Sequence, residues 1–305
     1  MSNTEFMDDA ISPINERPMH EMYEWEENQQ PWLISYERYN ICSTIDMPDE
    51  QTSLIDMLEA GFAKHARQVA YYCDDQEITY EQLDKLSLKV AIYLQQLGLK
   101  VGDAVGVMLP NILQYPVITL GVIRAGMVLV SMNPSYTSRE LEHQMDDADI
   151  KALFILDKFI YTYKDIGDNL NRDLHHLIIC RLGDLKSKLK GALINLVSAT
   201  TDLPPKGNWI YFSQLLADAS KAYQRPTLTL SNIVLIQYTG GTTGTAKGAM
   251  LSHGNVIANL LQIDALIRSA YDEEGQEDII LASLPLYHVF SFTICCVFIL
   301  YRGFA

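Results

Sequence analysis

The residues best suited to chemistry in this sequence lie in one short stretch, YTGGTTGTAKG, at residues 238–248. It holds four glycines, four threonines and one lysine. Glycines allow positive φ and a close backbone approach, so successive N–H groups can point into one concavity. Threonine hydroxyls add hydrogen-bond donors, and a lysine adds a mobile positive charge suited to phosphate. The stretch therefore predicts a binding site for a polyphosphate.

The spacing of these glycines excludes two common nucleotide motifs. A Walker A loop needs a glycine at 245 or 246, where the chain has Thr245 and Ala246, and a Ser or Thr after the lysine, where it has Gly248. The glycines at 240, 241, 244 and 248 also miss the dinucleotide pattern G-x-G-x-x-G. A surface loop without a ligand is the remaining alternative, and it is disfavoured because the stretch directly follows an apolar, strand-like segment.

The segments around this stretch indicate how it is held. NIVLIQYT (232–239) has the apolar run of a strand, and HGNVIANLLQIDALI (253–267) has helical spacing. We therefore predict the order strand, glycine-rich loop, helix. Residues 183–230, which contain Pro204, Pro205 and Gly207, are predicted to be a connection between two α/β regions.

Helical and strand-like segments alternate along the first 180 residues. Two helices begin with a capping box, Thr79 with Gln82 and Thr137 with Glu140. Other helices are predicted at 52–66 and through QYPVITLGVIRAG, and strands at 69–73, 104–110, 127–134, 151–156 and 176–180. Strands separated by helices imply βαβ units. The predicted fold class is α/β, with doubly wound, mainly parallel sheets and flanking helices.

The amino-acid composition limits the classes of function that this chain can have. With 48% hydrophobic residues among 305, the chain can bury a sizeable core. A net charge of −15 disfavours nucleic-acid binding. Residues 1–27 hold eight acidic residues and one basic residue, which predicts a solvated, mobile extension. The N-terminus has no basic segment followed by an apolar core, which is the pattern of a secretory signal.

The cysteines and the last apolar segment are the remaining features of the sequence that bear on function. The five cysteines show no metal-ligand spacing, so we predict reduced, buried thiols and no metal site. Residues 279–305 are largely apolar, but their longest run without proline, histidine or charge, 289–301, has thirteen residues. A membrane-spanning helix needs ~20. We predict a strand followed by a buried helix; an integral membrane protein is the alternative.

YTGGTTGTAKGAMLSHGNVIANL resembles the signature loop of the AMP-forming adenylate family, [ST]-[SG]-G-[ST]-T-G-x-[PA]-K-G. The strictest form has Ser and Pro where this chain has Gly240 and Ala246, and both departures are typical of bacterial long-chain fatty-acid–CoA ligases. Residues 94–148 and LPLYHVFSFT (284–293) resemble other parts of these ligases. The resemblance runs from about Leu54 to the end of the sequence, leaving the acidic first 30 residues outside it.

The resemblance implies a role for each matching residue. The stretch would wrap the β- and γ-phosphates of ATP, with Thr242, Thr243 and Lys247 as side-chain contacts. His288 would border the acyl carboxylate and the α-phosphate, so His288 and Lys247 are the catalytic candidates. A hydrogen-bonded histidine at a strand end is the alternative for His288. The nucleotide-binding set is Thr239, Gly240, Gly241, Thr242, Thr243, Gly244, Thr245, Ala246, Lys247 and Gly248.

The implied reaction has two steps. A fatty carboxylate attacks the α-phosphorus of ATP with Mg²⁺, giving acyl-AMP and diphosphate, and the thiol of coenzyme A then displaces AMP. An aryl or shorter-chain acid is the rival substrate, and a non-catalytic nucleotide- or acyl-binding protein is the rival class. We expect a cytoplasmic protein, with contact to the inner membrane and a homodimer as further expectations. No amphipathic basic helix is recognisable in the sequence.

Three regions are predicted: an acidic extension at 1–50, a first α/β subdomain at 51–230, and the start of a second at 231–305. The family's Y-G-x-T-E motif, ribose-binding aspartate and C-terminal lid domain with its catalytic lysine are absent from the sequence. We therefore expect an N-terminal fragment that is inactive alone, with apolar surface exposed around 289–301.

Overall fold

The computed structural model describes residues 30–166, 174, 176–198, 200, 203–204, 209–239, 246–270 and 278–305. The chain divides into two compact units, residues 1–44 and 45–305. In the first unit the described residues form one helix, α1, Pro31–Arg38. The predicted mobile extension at 1–27 lies outside the described residues. Within the described part of the chain, no helix is both long and apolar enough to cross a bilayer.

The second unit contains all other described helices and strands. Its helices are α2 Leu54–Lys64, α3 Tyr80–Gln96, α4 Gln114–Arg124, α5 Ser138–Asp147, α6 Ile160–Lys164, α7 Lys188–Val197, α8 Phe212–Asp218, α9 His253–Ala270, α10 Val289–Phe292 and α11 Ile299–Arg302. A π-helical segment, Thr293–Phe298, joins α10 to α11. Its strands are β1 Val69–Cys73, β2 Gln76–Thr79, β3 Ala104–Met108, β4 Val128–Ser131, β5 Ile150–Leu156, β6 His176–Cys180, β7 Trp209–Tyr211, β8 Ile233–Thr239 and β9 Lys247–Ser252.

Seven of the strands form one sheet in the order β7-β6-β5-β3-β4-β8-β9. Neighbouring strands from β7 to β8 are parallel, and only β9 runs antiparallel to its neighbour. β1 and β2 form a separate antiparallel pair. The predicted α/β class with a mainly parallel sheet is confirmed.

Helices cover both faces of the sheet. Alternate residues of a strand point to opposite faces, and in β3 Val105 and Val107 join one hydrophobic cluster while Ala104 and Met108 join the other. The first cluster includes residues of α2, α3 and α4, and the second includes residues of α5 and α6. A sheet buried on both faces explains why β3 and residues 152–156 of β5 have continuous apolar sequences rather than alternating ones.

Both predicted capping boxes are present. The Thr79 hydroxyl accepts a hydrogen bond from the backbone N–H of Gln82 at 3.2 Å, and the Gln82 side chain accepts one from the Thr79 N–H at 2.9 Å. Thr137 and Glu140 make the same exchange at the start of α5. Each box pairs backbone donors that the first helical turn leaves open, so these two helix starts were fixed by local sequence.

The helix α4 packs so closely on α3 that it requires glycine at its centre. A Cβ atom at Gly121 would lie 2.4 Å from Cβ of Val90 and 2.8 Å from the carbonyl oxygen of Ser87. Every residue of α4 is buried. Its sequence therefore lacks the polar stripe of a surface helix, as expected for a helix enclosed on all sides.

Two sequence predictions about elements are wrong. The connection predicted at 183–230 contains α7, β7 and α8, and β7 extends the sheet by pairing with β6. The described residues 278–288, predicted to begin with a strand, form none, although the buried helix that follows is confirmed. Strand β8 pairs with β4, so strands from both sides of residue 230 share one sheet. The subdomain boundary placed there stays a prediction.

The exposed apolar surface and the cysteines also differ from expectation. Val289 and Phe290 are exposed as expected, but most of residues 291–300 are buried, and further exposed apolar side chains lie earlier, at Ile279, Leu281 and Leu284. The helix packs into the main core, since Phe292, Phe298 and Leu300 belong to the first cluster. All five cysteines are free thiols, but Cys42 is exposed and Cys73 only half-buried.

Candidate functional site

The glycine-rich stretch lies between two antiparallel strands. Thr239 at the end of β8 pairs with Lys247 at the start of β9, and the Thr239 hydroxyl donates a weak hydrogen bond to the Lys247 carbonyl oxygen at 3.4 Å. The predicted site residues Gly240 to Thr245 lie outside the described residues. The predicted order strand–loop–helix is therefore wrong, because β9 stands between the loop and α9. Sequence reasoning missed β9 because its residues Lys247–Ser252 include a lysine, a glycine and an alanine, which are poor strand formers.

Residues of α5 support the base of this hairpin. The Tyr238 hydroxyl donates a hydrogen bond to Oδ2 of Asp147 at 2.5 Å. Nε2 of His143 lies 3.1 Å from the carbonyl oxygen of Ala246 and can donate to it. The His143 and Tyr238 rings meet edge to face with centroids 6.3 Å apart. These contacts hold both ends of the glycine-rich loop against a rigid helix, which favours a preorganised site.

Gly248 has no room for a side chain. A Cβ atom there would lie 2.8 Å from Cγ2 of Ile236 and 3.1 Å from Cζ of Tyr238. The Tyr238 ring therefore packs directly over the backbone of β9 opposite its own position. The glycine at the end of the signature stretch is thus explained by the packing of Tyr238, independently of any ligand.

The environment of Tyr238 keeps its phenol protonated. Burial raises its pKa, and the hydrogen bond to Asp147 together with the charges of Asp147 and Tyr136 raises the pKa further. A neutral phenol can donate to the Asp147 carboxylate at any physiological pH. Tyr238 therefore acts as a fixed donor that orients the hairpin rather than as an acid or base.

His288 lies in the turn that precedes α10. Its backbone N–H donates to the Pro285 carbonyl oxygen at 3.0 Å, and its own carbonyl accepts from the Phe292 N–H at 2.9 Å. The imidazole is exposed and lies against the Tyr287 ring, with centroids 4.6 Å apart. The alternative of a histidine at a strand end is wrong, because the preceding described residues form no strand. An exposed imidazole beside an aromatic ring remains accessible to a ligand.

Tyr136 lies at the same edge of the sheet as the hairpin. It follows β4, the strand that pairs in parallel with β8. Its side chain packs against the second hydrophobic cluster, which contains Tyr238. Because parallel strands end at the same edge, the segment after β4 and the hairpin after β8 lie on one side of the sheet.

Asn111 fixes the chain that leads to His288. This residue lies shortly after β3, at the same edge of the sheet. Its amide group donates to the carbonyl oxygens of Ala282 and Leu284 at 3.0 and 2.9 Å, and its oxygen accepts from the Leu286 N–H at 2.8 Å. One side chain therefore meets three backbone groups of a segment without regular structure. Sequence reasoning missed Asn111 because these partners lie about 170 residues away.

Replacing Asn111 with alanine is expected to loosen the 282–286 segment. Three hydrogen bonds disappear, and for an exposed side chain we expect a loss of about 1–2 kcal/mol. Hydrogen exchange of the Leu286 amide should accelerate about tenfold. The matched variant Asn111→Asp keeps the acceptor for Leu286 and removes both donors, so its Leu286 amide should stay better protected. Equal acceleration in both variants would contradict this assignment.

The end of the hairpin carries groups that suit phosphate. Lys247 is exposed at the mouth of the hairpin, next to the Thr239 hydroxyl. Within the described ranges, no group of three or more histidine, cysteine, aspartate or glutamate side chains could hold a metal ion. In open α/β sheets, ligands bind outside the carboxyl ends of the strands, and the hairpin, Tyr136 and Asn111 all lie there.

An open, mainly parallel sheet with a glycine-rich hairpin at its carboxyl edge defines an α/β protein with a candidate phosphate site. The chain belongs to the AMP-binding enzyme family, whose sequence model matches residues 58–305. It is 42% identical over 262 residues to the long-chain-fatty-acid–CoA ligase of Escherichia coli O157:H7, covering 84% of this chain and 46% of that ligase. The chain thus spans about half the length of the curated relatives it matches.

Solved structures share the fold. The anthranilate CoA ligase AuaEII in complex with anthranoyl-AMP matches with a TM-score of 0.70 at 19% identity, over 85% of this chain and 45% of that one. ATP-bound MatB from Rhodopseudomonas palustris matches with a TM-score of 0.59 at 23% identity, over 83% of this chain and 44% of that one. At these identities the likeness concerns the fold alone.

Proposed function

We propose that this chain supplies the ATP-binding half of a long-chain fatty-acid–CoA ligase. The ligase joins a fatty acid to coenzyme A through an acyl-adenylate, releasing AMP and diphosphate. The observation that carries the proposal is the Thr239–Lys247 pair at the mouth of a glycine-rich loop, in a chain of the AMP-binding enzyme family. The relatives' names support the long-chain fatty acid as substrate.

The proposed chemistry is mainly electrostatic. The backbone N–H groups and hydroxyls of Thr239 to Gly248 would hold the β- and γ-phosphates, and Lys247 would offset the charge of the departing diphosphate. His288 would border the carboxylate and the α-phosphate, where an imidazole can donate to charge that develops as the carboxylate attacks. Asn111 would act only by holding the segment that carries His288.

Mg²⁺ and coenzyme A complete the proposal. Mg²⁺ binds mainly through substrate phosphates and water, so it would arrive with ATP and neutralise phosphate charge. Coenzyme A would bind as the second substrate. A cytoplasmic location, contact with the inner membrane and a homodimer are further parts of the proposal.

Replacing Lys247 with alanine is expected to weaken ATP binding by about 10- to 100-fold, because a hydrogen bond to a charged group contributes about 1.5–3 kcal/mol. Isothermal titration of the 305-residue chain with Mg-ATP measures this. Lys151, a surface lysine paired with Asp149, gives the control variant Lys151→Ala, which should bind ATP normally. Unchanged affinity in Lys247→Ala would remove the lysine from the phosphate site.

Two assays separate the proposed ligase from its alternatives. ATP–diphosphate exchange with palmitate measures adenylate formation; we expect little exchange by this chain alone and restoration in a polypeptide as long as its relatives. ATP binding without exchange in that longer polypeptide would favour a non-catalytic nucleotide-binding protein. Acyl-sulfamoyl-adenosines with palmitoyl, acetyl or benzoyl groups test chain length, and tighter binding of the benzoyl compound would favour an aryl substrate.

A further inference from the structure

The helix α7 carries an apolar face that points away from the protein. Leu189, Leu193, Leu196 and Val197 are between 62% and 89% exposed. Their spacing of four, seven and eight residues places them on one side of the helix. Single exposed aliphatic residues are common on protein surfaces, but a contiguous group of four on one helix marks an interaction surface.

The opposite side of α7 is fixed to the protein body. Gly191 is buried against Gly183, where a Cβ atom on either residue would meet the other's carbonyl oxygen at 2.3 Å. The Asn195 side chain accepts from the Gly183 N–H at 2.8 Å and donates to Asp184 at 3.1 Å. The helix therefore cannot rotate to bury its leucines, and their exposure is a fixed property of the fold.

The sequence of this segment is basic, although the chain is acidic. Residues 185–198 contain three lysines, at 186, 188 and 190, and no acidic residue, in a chain of net charge −15. Lys186 pairs with Asp74 and Asp75, in the turn between β1 and β2, and its side chain is only 12% exposed. Lys190 pairs with Asp75, and both of these side chains are about half exposed. Exposed ion pairs contribute little to stability, so Lys190, beside the apolar face, can exchange its carboxylate for another anion.

We propose that α7 docks on the surface of an anionic lipid bilayer. The four aliphatic side chains would enter the boundary between headgroups and acyl chains, and Lys190 would lie at the level of the lipid phosphates. The surface lacks the aromatic residues that protein interfaces favour, and lysine is depleted in such interfaces. A second copy is disfavoured, because a symmetric pairing of this face would bring like-charged lysines together.

This inference corrects the sequence-based expectation that no amphipathic basic helix is present. The helix was missed because its apolar residues point outward, within a region predicted to be a connection. The inference deepens the membrane contact in the proposed function and rests on it, by assigning that contact to one surface. Vesicle binding requires neither ATP nor ligase activity, so either proposal can fail while the other stands.

Vesicle cosedimentation of the 305-residue chain tests the docking surface. The probes are vesicles of phosphatidylglycerol and phosphatidylcholine in equal amounts, with pure phosphatidylcholine vesicles for comparison. The double variant Leu193→Glu and Leu196→Glu should bind the anionic vesicles at least tenfold more weakly. The matched control, Ile279→Glu and Leu281→Glu, changes two residues that are 69% and 85% exposed elsewhere, and it should change binding less than twofold.

A neutral variant, Leu193→Gln with Leu196→Gln, separates lost apolar contact from charge repulsion and should also lose binding. It gives a second measurement if the glutamate variant does not fold by circular dichroism. Equal binding of the wild type and the glutamine variant would overturn the proposal, as would wild-type protein that does not bind anionic vesicles. A wild-type dimer that the α7 substitutions dissociate, without vesicle binding, would assign the face to a second copy.

Discussion

Replacing Arg124 with alanine is expected to lower the free energy of unfolding by about 4 kcal/mol, the range for truncating a large buried side chain. Arg124 ends α4 and is 2% exposed. Its guanidinium donates to the Asp84 carbonyl at 2.9 Å and the Asp84 carboxylate at 2.6 Å, and it lies 5.8 Å from the Phe62 ring centroid. Urea denaturation followed by circular dichroism measures the loss.

The variant Arg124→Met separates the contribution of side-chain packing from that of the positive charge. Arg124→Met keeps most of the side-chain volume and removes the charge. Its acidic partners, Asp84 and Glu59, are partly exposed, so water can solvate them once the guanidinium is gone. Removing one partner of an ion pair is most costly when the remaining charge stays buried, which is not the case here. We expect methionine to recover about half of the loss caused by alanine, about 2 kcal/mol. Equal losses in the two variants would mean that the charge, and not the packing, stabilises this site.

A second large effect concerns acid sensitivity. His253 is buried at the start of α9, where its Nδ1 accepts a hydrogen bond from the Leu54 N–H at 3.0 Å. Burial lowers the pKa of His253 to about 4 from an ordinary value of 6.5, and nearby Asp56 opposes this only in part. Protonation would place a hydrogen on the accepting nitrogen, so the charged form loses both solvation and this bond.

The sign of the pH dependence follows from the lowered pKa. Below pH 6.5 the unfolded chain binds a proton that the folded chain does not, so stability is complete above that pH and falls as the pH drops toward 4. The contribution is about 2 kcal/mol between pH 7.5 and pH 5, and about 3 kcal/mol by pH 4.

Urea denaturation at several pH values measures this contribution against a matched variant. His253→Asn keeps an acceptor near the position of Nδ1 and cannot titrate, so its stability should fall about 2 kcal/mol less over the same interval. Carboxylates titrate in both proteins, and the difference between the two curves isolates His253. Parallel curves would show that His253 is not the titrating group.

The fold was predictable wherever local sequence determined structure. The capping boxes at Thr79 and Thr137 and the apolar runs of β3 and β5 are recognisable within a few consecutive residues of the sequence. β7 has only three residues and β9 begins with lysine and glycine, and both depend on a neighbouring strand. Tertiary pairing overrides such weak local propensity, so the sheet edges could not be predicted.

The candidate site was predictable in part, for the same reason. The glycine-rich stretch has a dense local pattern, and His288 was found because its segment resembles a family motif. No sequence motif or periodicity marks Asn111, His143 or Tyr136 as residues of a site. They matter because the parallel order of β3, β4 and β8 brings the ends of distant segments to one edge. A single sequence does not contain that information until the strand order is known.

The pairing of β4 with β8 has a consequence for synthesis of the chain. β4 ends at Ser131 and its partner begins at Ile233, so at about 5–20 residues per second the ribosome makes the partner strand about 5–20 s later. Until then β4, apolar over most of its length, has one unpaired edge, and such edges favour misassociation. During this delay the nascent chain carries an apolar strand edge without its partner, and the delay ends just before the glycine-rich loop is translated.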